Sequence, residues 1–205
     1  MSFEFLTAES PTAVARSPME REAAAAGARF ELRDGWNVAV SYAGEEAVLR
    51  ETVGFADMSH LGKLELNEPA NGELGFATRA DGAWWCNVTS TRTLVIGEIG
   101  PLRDRGIDMT TSYAALTIAG PLSRELFARF CALDLREQSA PPHAFRPGSV
   151  ARTPGYVLRE NGDRFLMLFG WALGRYMWET VADAAAQLGG APVGVDALER
   201  EPVHA

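Results

Sequence analysis

The sequence predicts an α+β domain, a mostly antiparallel sheet with packed helices, and three observations predict it. Several short segments alternate apolar and polar residues, as half-buried strands require; Leu64 and Leu66 against Lys63 and Glu65 is one. Other segments carry apolar stripes at helical spacing. The two kinds alternate irregularly, and no GxGxxG or other glycine-rich phosphate loop occurs, which argues against a doubly wound parallel sheet.

The elements follow in order. Residues 1–16 show no periodicity and read as an arm. A helix starts at Ser17-Pro18-Met19-Glu20, where Ser17 is a cap, Pro18 fits the first helical position and Glu20 suits a capping box; it ends at Gly27. Phe30 to Tyr42 reads as two strands turned at Asp34-Gly35, since both residues tolerate positive φ. Glu45 to Thr52 is a short helix closed by Gly54. Strands follow at 55–59 and 62–66. From Glu68 to Asn87 the signal is poor, with turn residues around Trp84 and Trp85.

Thr93 to Ile96 is a strand, and 97–105 a charged turn in which Pro101 excludes a central strand. Tyr113 to Ala119 is a strand. After Gly120-Pro121 comes a helix with Leu122, Leu126, Phe127 and Phe130 on one face. Pro141, Pro142 and Pro147 mark an irregular bridge. Strands at 148–152, 156–159 and 164–169 precede a helix over 172–188, with Leu173, Met177, Val181 and Leu188 on one stripe. Residues 17–198 thus form one domain, and 199–205 a polar tail.

Composition narrows the function. A chain of 205 residues suits one substantial domain. A formal net charge of -8 leaves no basic face for a phosphate backbone, so nucleic acid is excluded as a partner. The apolar run Phe165 to Trp171 falls far short of the ~20 residues of a membrane span. The opening MSFEFLTAES does not read as a signal peptide, so Cys86 and Cys131 are expected as reduced thiols and the cytoplasm as the compartment.

Three segments carry a family resemblance. Ala26 to Leu66 holds a Gly-Ala-Arg, a Gly-Trp hairpin, a helix and then Gly-Phe-x-Asp-x-Ser-His-x-Gly-Lys. Ala114 to Leu135, followed by Phe145 to Gly148, gives a strand, Gly-Pro, an apolar helix, Cys-x-Leu-Asp-Leu and Phe-x-Pro-Gly. Ala151 to Gln187 is the third. The first resembles the opening of the glycine-cleavage T-protein, a folate-binding aminomethyltransferase. The second resembles the gamma subunit of heterotetrameric sarcosine oxidase, and the third fits both. The resemblance implies an aminomethyltransferase folate-binding-like domain. The sequence ends at VGVDALERE and its tail, about where a T-protein runs on into its second half, and this too favours the gamma subunit.

The resemblance also supplies site residues. Asp104, in Gly-Pro-Leu-Arg-Asp-Arg, is the position that matches the catalytic aspartate, which would orient a reacting folate nitrogen. Pro101 breaks the family's glycine pair, and Arg103 and Arg105 are expected to salt-bridge the carboxylate on a surface loop. Tyr156 and Glu160 align with a folate-contacting Gly-Tyr-x-Gly-Glu segment, with Leu158 at the glycine and Glu160 displaced by a residue. Leu61 stands at a pocket methionine. These departures imply a pocket that is partial or empty, with tetrahydrofolate as the cofactor it would admit.

Asp57, Ser59 and His60 are triad residue types, but neighbours on a strand face opposite sides, so a structural turn motif is expected. His60, His143 and His204 are scattered without zinc spacing. Trp84, Trp85, Trp171 and Trp178 read as core or subunit-contact residues.

The expected function is therefore a non-catalytic gamma-like subunit of a flavin- and tetrahydrofolate-dependent sarcosine oxidase or related N-methyl amine demethylating complex. Flavin and NAD are expected only on larger partner subunits. The alternatives are a stand-alone tetrahydrofolate-binding aminomethyltransferase-like protein and an oligomeric scaffold that reuses the fold.

Overall fold

The computed structural model describes residues 13–200. In chain order it opens with β1 (Ala15–Arg16), α1 (Glu20–Ala25), β2 (Arg29–Arg33), β3 (Trp36–Ser41), α2 (Glu45–Glu51), β4 (Gly54–Asp57) and β5 (Gly62–Leu66). Next come β6 (Ala77–Ala80), β7 (Ala83–Thr89), β8 (Arg92–Gly97), a 3-10 helix (Gly100–Arg105), β9 (Ile107–Asp108) and β10 (Tyr113–Ala119). The remainder is α3 (Ser123–Ala128), β11 (Phe145–Val150), β12 (Thr153–Asn161), β13 (Arg164–Gly170), α4 (Gly174–Ala186), β14 (Ala191–Pro192) and α5 (Val195–Arg200).

A six-stranded sheet in the order β11-β12-β13-β10-β4-β14 forms the centre, antiparallel except where β14 joins β4. Alternation along β10 explains the layers. Ala114, Leu116 and Ile118 face Leu126 and Phe127 of α3 and Met177, Trp178 and Val181 of α4. Ala115 faces the other way, toward Trp84, Cys86, Leu94 and Ile96 of a five-stranded antiparallel sheet, β6-β7-β8-β5-β9. Each fully buried phenylalanine of the helix side, such as Phe127 and Phe165, contributes roughly 1.5–3 kcal/mol. A small β1-β3-β2 sheet packs Val38 and Val40 against Val195 of α5. The fold is α+β, as the patterning predicts.

Several elements depart from expectation. The weak stretch 68–87 contains the β6–β7 hairpin, turned at Asp81 and Gly82 with φ of 50° and 75°. The expected bridge ends sooner than Pro147, which lies in β11 opposite Tyr156; β11 is an edge strand, where a missing N–H leaves no central ladder broken. The charged turn at 97–105 contains a 3-10 helix, and Pro101 suits its first turn.

The first helix begins only at Glu20. Ser17 Oγ accepts the Met19 N–H at 3.0 Å, while Glu20 turns to Arg16 rather than closing a capping box. Of the expected arm, residues 1–12 lie outside the described residues, and Ala15–Arg16 pair in parallel with β3. Of the expected tail, Glu199 and Arg200 belong to α5, and 201–205 lie outside the described residues. Both cysteines are free thiols. Among the described residues no helix is long and apolar enough to cross a membrane.

Candidate functional site

A cleft of about 590 Å³ opens where the three sheets and α5 meet. The β4–β5 turn forms one wall with Met58, His60, Leu61 and Gly62, and the β2–β3 hairpin adds Asp34 and Trp36. Trp84 and Glu160 stand opposite, from the five- and six-stranded sheets. Four arginines and four carboxylates line it, so the cleft has no net charge with which to draw in an ion of either sign.

Of the four site positions that the resemblance supplies, Leu61 and Glu160 line this cleft together. Alternation on β12 sends Tyr156, Leu158 and Glu160 toward the five-stranded sheet. The Glu160 carboxylate is engaged from within the fold: Oε1 accepts the Trp84 indole N–H at 3.1 Å, and Oε2 accepts Arg164 Nε at 2.7 Å. Arg164 also donates to the Leu198 carbonyl of α5 at 2.8 Å, so one arginine ties Glu160 to the last turn of that helix. Such charge-assisted bonds are the strong ones, and here they hold the carboxylate in place.

Tyr156 does not line the cleft. Its ring stacks on Phe145 at 5.0 Å and meets Tyr113 edge-on at 6.0 Å, between the sheets. Asp104 is also elsewhere, exposed on the 3-10 helix. The expected salt bridges to it are not made. Arg103 points to Asp108 at 3.7 Å and Arg105 pairs with Glu68, because adjacent residues on a turn with about three residues per revolution diverge.

Asp57, Ser59 and His60 do not form a triad. Asp57 Oδ1 accepts the Ser59 N–H at 2.9 Å and Ser59 Oγ accepts the Ala115 N–H at 3.2 Å, both beneath the turn, while His60 faces the cleft. Burial, helped by the nearby Lys63 and Arg33 charges, lowers the His60 pKa to about 4, so the imidazole is neutral at pH 7. Burial pushes the Asp57 pKa up against hydrogen bonds from Ser17 and Ser59.

Sequence reasoning missed Lys63. Alternation with Leu64 and Leu66 marks it as solvent-facing, yet its side chain is 0% exposed, because both faces of the five-stranded sheet are covered. Its Nζ donates to the Ser59 carbonyl at 2.7 Å, and burial lowers its pKa to about 7 against the pull of Asp57 and Asp108. One signal was present: Lys63 is the sole lysine in a chain with 18 arginines.

No family model matches the chain. An aminomethyltransferase from Picosynechococcus sp. (strain ATCC 27264 / PCC 7002 / PR-6) is 44% identical over 54 residues, covering 25% of this chain and 15% of that relative. Among solved structures, the glycine cleavage system aminomethyltransferase T from Bartonella henselae superposes with a TM-score of 0.73 at 16% identity. That match covers 90% of this chain and 60% of the other. A heterotetrameric sarcosine oxidase from Corynebacterium sp. U-96, in complex with pyrrole 2-carboxylate, superposes at 0.64 with 17% identity, covering 87% of this chain and 98% of that one. At these identities the likeness establishes the aminomethyltransferase fold, and function has to be argued from the site.

Proposed function

We propose that this chain is a non-catalytic, gamma-like subunit of a heteromeric flavin- and tetrahydrofolate-dependent sarcosine oxidase or related N-methyl amine demethylating complex. The observation that carries the reading is the state of Glu160. A pterin-binding carboxylate needs its oxygens turned to the ligand's N–H donors, whereas the two Glu160 oxygens are turned to N–H groups of the fold itself, those of Trp84 and Arg164. The positions that the resemblance would assign to catalysis and pterin contact are also dispersed, with Asp104 exposed and Tyr156 stacked between sheets. Coverage of 98% of one chain of a heterotetrameric sarcosine oxidase supports a role as one subunit among several.

On this reading the chain stabilises an assembly whose larger, flavin-containing subunits oxidise the N-methyl group. Coexpression with its genomic neighbours tests it. Co-purification with flavin-containing partners is expected, and a chain that remains alone would overturn the reading.

A second reading, a stand-alone tetrahydrofolate-binding protein, is favoured by the meeting of Leu61 and Glu160 in one cleft. Calorimetry with tetrahydrofolate separates the two. Saturable micromolar binding, lost on Glu160→Ala, would establish the second.

A further inference from the structure

The chain places 18 arginines at its surface, rim and core, and its one lysine at a fully buried position. An arginine is always charged, whereas a lysine can give up its proton when buried. The choice of residue at position 63 therefore bears on what the site does.

Beneath the β4–β5 turn, the Lys63 ammonium carries three N–H donors, and the hydrogen bond it makes among the described residues goes to the Ser59 carbonyl. The Lys63 backbone N–H donates to Thr110 Oγ1 at 3.1 Å, and its carbonyl accepts from Met109 at 2.8 Å, so the strand itself is fixed. The turn above is also tied by Met58 N–H to the Ala115 carbonyl, by Leu61 N–H to the Met58 carbonyl, and at Ser59 by the Asp57 carboxylate on its N–H and the Ala115 N–H on its Oγ. Lys63 adds the bond to the Ser59 carbonyl. Met58, His60, Leu61 and Gly62, four residues of this same stretch, form one wall of the cleft.

We propose that Lys63 is a positioning residue for the cleft, and that gain or loss of its proton moves the Met58–Gly62 wall. With the proton on, the ammonium draws in the Ser59 carbonyl and the Asp57 carboxylate. With it off, the amine keeps at most a neutral hydrogen bond, the attraction to Asp57 and Asp108 is gone, and the wall relaxes outward. The groups that set the balance are Asp57 on β4, Asp108 on β9 and His60 on the turn. Behind them, Arg33 and Asp34 act on His60, and Tyr42 interacts with Asp57. Burial places the exchange near neutral pH. By linkage, a ligand that prefers one wall position shifts the Lys63 proton, and the reverse. The inference stands apart from the subunit reading and holds for either occupant of the cleft.

The test uses the full chain labelled with carbon-13 and nitrogen-15. With one lysine, its Cε–Hε signal is unambiguous. The expected midpoint is about 7 rather than 10.5, with the amides of Met58 to Gly62 following the same curve. In Lys63→Arg the amides of the turn should lose that titration. A lysine midpoint near 10.5 overturns the proposal. So does a low midpoint that the turn amides do not follow. Both readouts come from the native chain, so the outcome does not depend on whether a variant folds.

Discussion

Trp84 and Glu160 lie 76 positions apart in sequence and on different sheets, yet the indole N–H of one bonds the carboxylate of the other at 3.1 Å. This contact closes the gap between the five- and six-stranded sheets at the cleft. Arg164 completes it from the neighbouring strand and α5. The carboxylate at the heart of the cleft thus serves the fold first.

Glu160→Gln tests that view. It keeps the shape but removes the charge and one of the two acceptors, so one bond weakens and the other is lost, leaving the Trp84 or the Arg164 N–H short of its partner. The expected loss is about 1–3 kcal/mol in urea unfolding, in line with hydrogen bonds to charged groups. Trp84→Phe should cost a comparable amount, and the double variant less than the sum, since the two side chains share one bond. Additive effects would show that the contact contributes nothing of its own.

His60 gives the protein an acid-sensitive window. Its pKa falls from 6.5 unfolded to about 4 folded, chiefly by burial. Above pH 6.5 both states are neutral and nothing is lost. Between 6.5 and about 4 the unfolded chain takes up the proton and the folded chain does not, so stability falls with pH. The full penalty is at most about 3 kcal/mol. Melting curves of the native chain and His60→Gln should converge below pH 4 in slope, with the native chain the steeper of the two between 4 and 6.5.

Asp104→Ala discriminates between the two functional readings. The side chain is exposed, and its flanking arginines serve other carboxylates, so stability should change by no more than about 0.5 kcal/mol. For a non-catalytic subunit, assembly with partners and the activity of the complex should also be unchanged. A large loss of activity from an otherwise intact complex would return Asp104 to a catalytic role.

Much of the fold was legible because local chemistry and burial agree. Asp34-Gly35 reads as a hairpin, and its φ values of 48° and 81° bear that out. Asp81-Gly82 carries the same signal, but the turn residues around Trp84 and Trp85 leave the stretch from Glu68 to Asn87 without strand alternation, and the β6–β7 hairpin does not show. The α3 stripe holds, with Leu126 and Phe127 buried and Leu122 and Phe130 packed beside them.

The cleft was legible only in part. Leu61 and Glu160 came through the resemblance. No periodicity could show that Trp84 bonds Glu160, because that contact joins two sheets. Lys63 failed for a physical reason: a two-residue period identifies a polar face and says nothing about whether a second sheet covers it.

The β11–β12 turn offers a last test, of strain. Ala151 and Arg152 both hold positive φ, 46° and 64°, in a region where a side chain costs about 1–2 kcal/mol per residue. Surrounding bonds enforce this conformation: the Ala151 N–H donates to the Phe130 carbonyl at 2.9 Å, and its own carbonyl accepts the Tyr176 hydroxyl at 3.1 Å. Ala151 is buried, so replacing it would disturb packing as well as strain. Arg152 is exposed, and glycine there removes the steric cost alone. Against this stands the extra chain entropy of glycine, about 0.5–1 kcal/mol. The steric relief outweighs that entropy, so Arg152→Gly should raise the urea midpoint by an amount equivalent to roughly 0.5–1 kcal/mol. A lowered midpoint would mean that the turn is not strained and that the Arg152 side chain makes a stabilising contact.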